Sequence, residues 1–199
     1  MHEDSTTTKA IIFDCDGTLA DTMPVHYLAW QEGIRPAGLT FDEDLFYRLG
    51  GVPTIQIIDL LAEQQGKTVD AAAISQAKEA AYIELIGRVK PIEPILSVAQ
   101  ENFGKIPMAV GSGGYRDTVM ATLHAIEAVG LFEHIVTAED TERHKPEPDV
   151  YLRAAELLEV EPSDCVVYED TDIGIEAATR AGMTTFDVRA THTPHRWTS

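Results

Sequence analysis

Five short apolar segments constrain the fold of this chain more than any other feature: residues 10–13, 107–110, 134–138, 165–168 and 184–188. They are rich in β-branched residues. They are also too continuously apolar for strands with one wet face, which would alternate apolar with polar. Runs of this kind suit a parallel sheet covered on both faces. Helical patterns separate the last four, over residues 116–129, 149–158 and 171–181, and Gly130 and Gly182 stand where two of these helices should stop. Alternation of strand and helix predicts an α/β fold, a doubly wound, Rossmann-like parallel sheet.

The first connection is different. Residues 23–91 hold no convincing strand and read as helices over 24–34, 42–49, 54–65 and 70–89. That is too long for an ordinary crossover. The expectation is an inserted α-helical cap, residues 23–91, within a core made of residues 1–22 and 92–199. Hinges are expected near 20–23 and 90–94, where Pro91 and Pro94 suit a stiff linker. Residues 191–199 read as a frayed end.

The chain has 199 residues, 44% of them hydrophobic, enough to bury a core without disulfides. Its net charge of −18 argues against nucleic acid or an anionic membrane as partner. No apolar run approaches the ~20 residues of a membrane span. MHEDSTTTK lacks the basic and apolar regions of a signal peptide, and Cys15 and Cys165 lack ligand spacing, so a reducing, cytoplasmic location is expected. Seven histidines are scattered without zinc-ligand spacing.

Four features follow strand ends. They are Asp14-Cys15-Asp16-Gly17-Thr18, Gly111-Ser112-Gly113-Gly114, His144-Lys145-Pro146-Glu147-Pro148-Asp149 and Glu169-Asp170. Ligands of open α/β sheets bind beyond the carboxyl ends of the strands, so the four should converge. Alternation sends Asp14 and Asp16 the same way and Cys15 into the core. Two like charges so close need a cation, and oxygen ligands favour a hard one such as Mg²⁺. With Lys145, the Ser112 hydroxyl and glycine amides, the set makes a cradle for a phosphoryl group.

These motifs, in this order, resemble the haloacid dehalogenase-like hydrolase superfamily, and within it the β-phosphoglucomutase-like branch with a helical cap. The likeness runs from Lys9 to Arg189. Four fixed residues of DxDGT would match by chance in roughly one chain of this length in a thousand. The strings KPEPDVY and YEDTDIGIEAA, in the right places, reduce that further. The resemblance implies roles. Asp14 is the nucleophile and a metal ligand. Asp16 is the general acid/base, with its backbone carbonyl on Mg²⁺. Ser112 and Lys145 serve the phosphoryl group. Asp170 ligates the metal, and Glu169 ligates or supports it.

Candidate substrate contacts are His26, Gly51, Thr54, Gly113 and Arg116. Mutases of the branch hold a second phosphate with a cap arginine; here Thr54 occupies that position. The cap loop Gly50-Gly51-Val52-Pro53-Thr54 and the His144–Lys145 pair are instead similar to bacterial fructose-1-phosphate phosphatases. The resemblance therefore implies a Mg²⁺-dependent phosphatase acting on a small phosphomonoester, a sugar phosphate; a chain that brings its own cap is expected to be a monomer. A β-phosphoglucomutase and a non-catalytic sugar-phosphate-binding protein are the alternatives. A phosphonatase would need a desolvated cap lysine, and nothing in the sequence marks Lys67 or Lys78 as one.

Overall fold

The computed structural model describes residues 8–197; residues 1–7, which carry most of the stretch read for a signal peptide, and Thr198 and Ser199 lie outside them. In chain order the strands are β1 (Ala10–Phe13), β2 (Ala20–Asp21), β3 (Lys90–Pro91), β4 (Met108–Gly111), β5 (His134–Val136), β6 (Cys165–Glu169) and β7 (Thr184–Asp187). The α-helices are α1 (Met23–Ile34), α2 (Glu43–Arg48), α3 (Thr54–Gln64), α4 (Ala71–Leu85), α5 (Glu93–Asn102), α6 (Arg116–Ala125), α7 (Asp149–Leu157) and α8 (Asp172–Arg180). Among the described residues no helix is long and apolar enough to cross a membrane.

Five strands form a parallel sheet in the order β5-β4-β1-β6-β7, with β1 in the middle. The strands β1 and β4 are buried at every residue. The expected two-sided cover does not extend to the edges. β5 and β7, each with a neighbour on one side only, keep partly exposed residues. Two apolar clusters sandwich the sheet, because successive side chains of β1 alternate between its faces. Ile11 and Phe13 enter one with Met108, Val110 and Leu123, while Ala10 and Ile12 enter the other with Tyr151 and Val167.

The four helices between β2 and β3 form the cap. Pro24 lies in the first turn of α1, and the side chains of Asp42 and Asp70 cap α2 and α4 by accepting from the Leu45 and Ala73 amides. The cap has its own core of Trp30, Ile34, Phe41, Phe46, Ile58 and Leu61. Its foot does not: Val25, Ala29 and Tyr82 belong to the cluster beneath the sheet. The link between the two parts is the antiparallel ribbon of β2 and β3, pairing Ala20 with Pro91 and Asp21 with Lys90.

Three expectations are corrected. Residues 93–102 form α5, with Pro94 in its first turn rather than in a linker. The helix expected to reach residue 129 ends at Ala125, because Glu127 takes a left-handed φ of 56° and Gly130 falls in a later 3₁₀ turn. Residues 191–197 are not frayed. The Tyr47 hydroxyl donates to the His195 carbonyl at 2.5 Å, and His195 Nδ1 lies 2.5 Å from Asp21 Oδ2. Arg196 pairs with Asp44 at 2.7 Å, and the Trp197 amide donates to Glu43 at 2.6 Å. The tail thus crosses from core to cap beside the ribbon.

Candidate active site

Parallel pairing of Phe13 with Val110 and with Tyr168 puts residues 14, 111 and 169 level at one edge of the sheet. The Asp14 carboxylate is buried there. Lys145, from the loop between β5 and α7, donates to Asp14 Oδ1 and to Glu169 Oε2, each at 2.7 Å. Carboxylate oxygens of Asp14, Glu169 and Asp170 lie within 4.8 Å of one another. The Thr18 hydroxyl donates to Asp170 Oδ1 at 3.2 Å. A side chain on Gly17 would put Cβ 2.2 Å from Asp170 Oδ2, and its φ of 86° is left-handed, so both space and backbone require glycine.

Two buried carboxylates, Asp14 and Glu169, share one ammonium, and the partly buried Asp170 lies beside them. Burial pushes the Asp14 carboxyl up to about 7; Lys145 pulls it back, while Glu169 and Asp16 add to the rise. Burial, then the charges of Glu169 and Asp14, also hold Asp170 well above the carboxylate range. Burial would lower Lys145, but Asp14 and Glu169 outweigh it and hold the ammonium well above the lysine range. A desolvated all-oxygen cluster with surplus negative charge fits a hard divalent cation.

Glu169 is less open to a cation than its neighbours. Its Oε1 accepts from the Asp170 amide (3.0 Å), the Thr171 amide (2.8 Å) and the Thr171 hydroxyl (2.7 Å). Its Oε2 accepts from Lys145 and from the Tyr151 hydroxyl at 2.6 Å. Five donors fill both oxygens, which favours a supporting role over direct ligation.

The two aspartates after β1 divide. The Asp16 carboxylate stands apart from the cluster and meets the cap, its Oδ1 lying 3.3 Å from His26 Nε2. Burial pushes Asp16 up, but the hydrogen bond and charge of His26, helped by Lys78, bring it below the usual value. His26 stacks on Tyr82 at 4.1 Å, and its Nδ1 is buried without a partner. Burial and the charge of Lys78 push the imidazole down. Ser112 is buried after β4 and its Oγ accepts from the Gly114 amide at 3.0 Å. A Cβ on Gly114 would lie 3.3 Å from Ser112 Oγ and 3.5 Å from Asp16 Oδ2, so the serine and the second aspartate flank one spot.

The remaining expected residues are spread more widely. Gly51 has a φ of 81° and faces the start of α8; a Cβ there would meet Ile173 at 2.6 Å and Thr171 at 3.6 Å. Thr54 is the first residue of α3. Gly113 is exposed, with open space about its Cα. The Arg116 guanidinium pairs with Asp140 at 2.5 Å on the outer side of α6, and its amide is held by Glu139. His144 is exposed, and Cys15 is buried in the core.

Sequence reasoning missed the contribution of α4. Lys78, expected to be unremarkable, is buried, with Nζ 2.9 Å from Glu79 and about 6 Å from the rings of Trp30 and Tyr82. Glu79 Oε2 accepts from the Thr118 hydroxyl at 3.0 Å, and the Tyr82 hydroxyl meets the Thr122 hydroxyl at 2.8 Å, so α4 is tied to α6. A signal did exist: Ile74, Lys78 and Tyr82 recur every fourth residue, which sets a lysine on the apolar face. Tyr151 carried no signal beyond its place in KPEPDVY.

Comparison with known proteins gives three kinds of match. Residues 11–188 match the family described as haloacid dehalogenase-like hydrolase. The fructose-1-phosphate phosphatase YqaB of Escherichia coli is 38% identical over 180 residues, covering 90% of this chain and 95% of that protein. The β-phosphoglucomutase of Bacillus subtilis is 30% identical over 187 residues, covering 88% and 80%. Among solved structures, CbbY from Rhodobacter sphaeroides in complex with phosphate superimposes with a TM-score of 0.82 at 27% identity, covering 90% of this chain and 85% of that one.

Proposed function

Because this chain belongs to the haloacid dehalogenase-like hydrolases, we propose that it is a Mg²⁺-dependent phosphatase of the β-phosphoglucomutase-like branch. It hydrolyses a small phosphomonoester, a sugar phosphate, through an aspartyl-phosphate on Asp14. The observation that carries this reading is Lys145 bridging Asp14 and Glu169 inside a group of carboxylates with surplus negative charge. We assign residues 23–91 to the cap and the rest to the catalytic core.

Asp14, Asp170 and the Asp16 backbone carbonyl would hold Mg²⁺, with Glu169 in support. The ion, when bound, would offset the charge of phosphate and carboxylates. In the first step an Asp14 oxygen bonds to phosphorus as the ester P–O bond breaks, and Asp16 gives its proton to the leaving alcohol. In the second step water attacks phosphorus, Asp16 takes its proton, and the bond from Asp14 to phosphorus breaks. Ionised Asp16 suits the second step; the charge of an arriving phosphate raises its carboxyl toward the protonated form the first step needs. Ser112, the Gly113 amide and Lys145 serve the phosphoryl oxygens. His26, Lys78, Gly51 and Thr54 face the sugar from the cap.

Three observations favour hydrolysis over the mutase reaction. A mutase must hold a second phosphate, and Thr54 cannot replace a bidentate guanidinium. Arg116 is engaged by Asp140. The 38% identical fructose-1-phosphate phosphatase points the same way. Two buried free cysteines suit a reducing compartment such as the cytoplasm, and the cap makes a monomer self-sufficient.

A screen of phosphate release over sugar phosphates, with and without Mg²⁺, tests the proposal. Fructose 1-phosphate or a close analogue should turn over, and Asp14→Asn should lower kcat by about a thousandfold or more. Full activity in Asp14→Asn rejects the nucleophile. Rapid conversion of β-glucose 1-phosphate to glucose 6-phosphate would favour the mutase instead.

A further inference from the structure

We propose that the Tyr151 hydroxyl is a positioning group that sets Lys145 against Asp14 by acting through Glu169, a role that rests on the phosphatase reading above. Tyr151 lies on the first turn of α7 and is fully buried. Ring and hydroxyl do different things. The ring packs in the apolar cluster against Gly111 of β4, where a Cβ would lie 3.1 Å from two of its carbons. Phenylalanine could do that equally well. The hydroxyl carries a buried polar atom that must find a partner.

That partner is Glu169 Oε2, reached at 2.6 Å; the same oxygen receives Lys145 Nζ at 2.7 Å. Lys145 Nζ also lies 4.8 Å from the Tyr151 ring centroid. The other Glu169 oxygen is pinned by three donors at the start of α8. Gly174 closes on the carboxylate from behind: a Cβ there would come within 2.0 Å of Glu169 Cδ. The carboxylate therefore has little freedom to rotate. What varies is how its charge is shared between two donors.

The ammonium, in turn, is shared between Asp14 and Glu169 at equal distances. Removing the hydroxyl leaves Lys145 as the sole donor to Oε2. The stronger pull draws Nζ toward Glu169 and away from Asp14. Asp14 then faces an incoming phosphate less neutralised, and attack slows, while cap contacts to the rest of the substrate are unchanged.

The test is Tyr151→Phe, which keeps the ring. With the best substrate of the screen, kcat should fall about tenfold, the scale of one hydrogen bond to a charged group, while KM stays within about twofold. In a Glu169→Gln background the same change should have no further effect, because both act through one oxygen. A crystal structure of Tyr151→Phe supplies a readout that needs no activity: Lys145 Nζ should leave hydrogen-bond reach of Asp14 and stay on Glu169. A kcat equal to wild type overturns the proposal, and so does a Lys145 that still bridges both carboxylates. If the wild-type protein releases phosphate from no ester, the phosphatase reading fails, and the position of Lys145 in the crystal still decides this one.

Discussion

Replacing Lys145 with alanine would leave Asp14 and Glu169 buried without their shared ammonium. Breaking one partner out of a buried ion pair costs about 3–5 kcal/mol. Urea unfolding of Lys145→Ala in metal-free buffer should show a loss of that size, and an unchanged midpoint would contradict it. The burial of Asp14 makes a second prediction, about pH. Its folded value, about 7, lies above its ordinary 3.8, so the folded state binds the extra proton. Asp14 contributes stability that is full below the unfolded value and is lost as pH rises through about 7. Mg²⁺ competes with that proton, so the rise in Tm on adding Mg²⁺ should be larger at pH 8 than at pH 5.5. Equal rises at both pH values would argue against Asp14 as a ligand. At this scale the sequence was informative where chemistry and strand ends coincide, as at Asp14, Ser112, Lys145 and Asp170. It was silent where a role depends on which way a side chain turns. Asp16 faces His26 instead of the carboxylate cluster, and Arg116 is drawn off by Asp140.

Helices and strands followed the hydrophobic periods closely, since residues 10–13 and 165–168 are continuous apolar runs and the cap helices carry Asp or Pro at their starts. The failures have local causes. Pro94 reads as a breaker unless the first helical turn is recognised, which hid α5. Glu127 in a left-handed conformation is invisible to periodicity, which lengthened α6 on paper. Residues 191–197 have no period, yet side-chain pairs fix them to the hinge. The loop between α2 and α3 yields a prediction of its own. Gly51→Ala combines a strained left-handed backbone with a Cβ 2.6 Å from Ile173. The cap loop should then seat poorly on the first turn of α8, raising KM several-fold. Steady-state kinetics should find partial recovery when Ile173→Ala is added, since that relieves the overlap and not the backbone strain. No recovery would mean the cap loop and the start of α8 do not meet during turnover.

For the molecule as a whole, the junctions of cap and core include the β2–β3 ribbon, the foot of α1 and α4 in the core cluster, the contacts of α4 with α6, and the tail. A chain ended after Thr191 loses the contacts of His195, Arg196 and Trp197 with Asp21, Asp44 and Glu43. The exposed Arg196–Asp44 pair contributes about 1 kcal/mol or less, but Asp21 and Glu43 are buried carboxylates, and a hydrogen bond to a charged group is worth about 1.5–3 kcal/mol. The melting temperature should therefore fall by roughly 10 °C, with KM rising as the cap opens more freely; an unaltered KM would mean the tail does not restrain it. The order of the sheet has another consequence, in time. β1 leaves the ribosome first, but its two neighbours, β4 and β6, come from the far side of the inserted cap and from near the chain's end. The nascent chain therefore carries an unpaired, wholly apolar strand until β4 has emerged. Distant pairings of this kind form slowly and expose strand edges to other chains. The cap's own core, built from residues 30–74, is complete when residue 91 emerges and is free to fold before the strand that will carry the nucleophile has a partner.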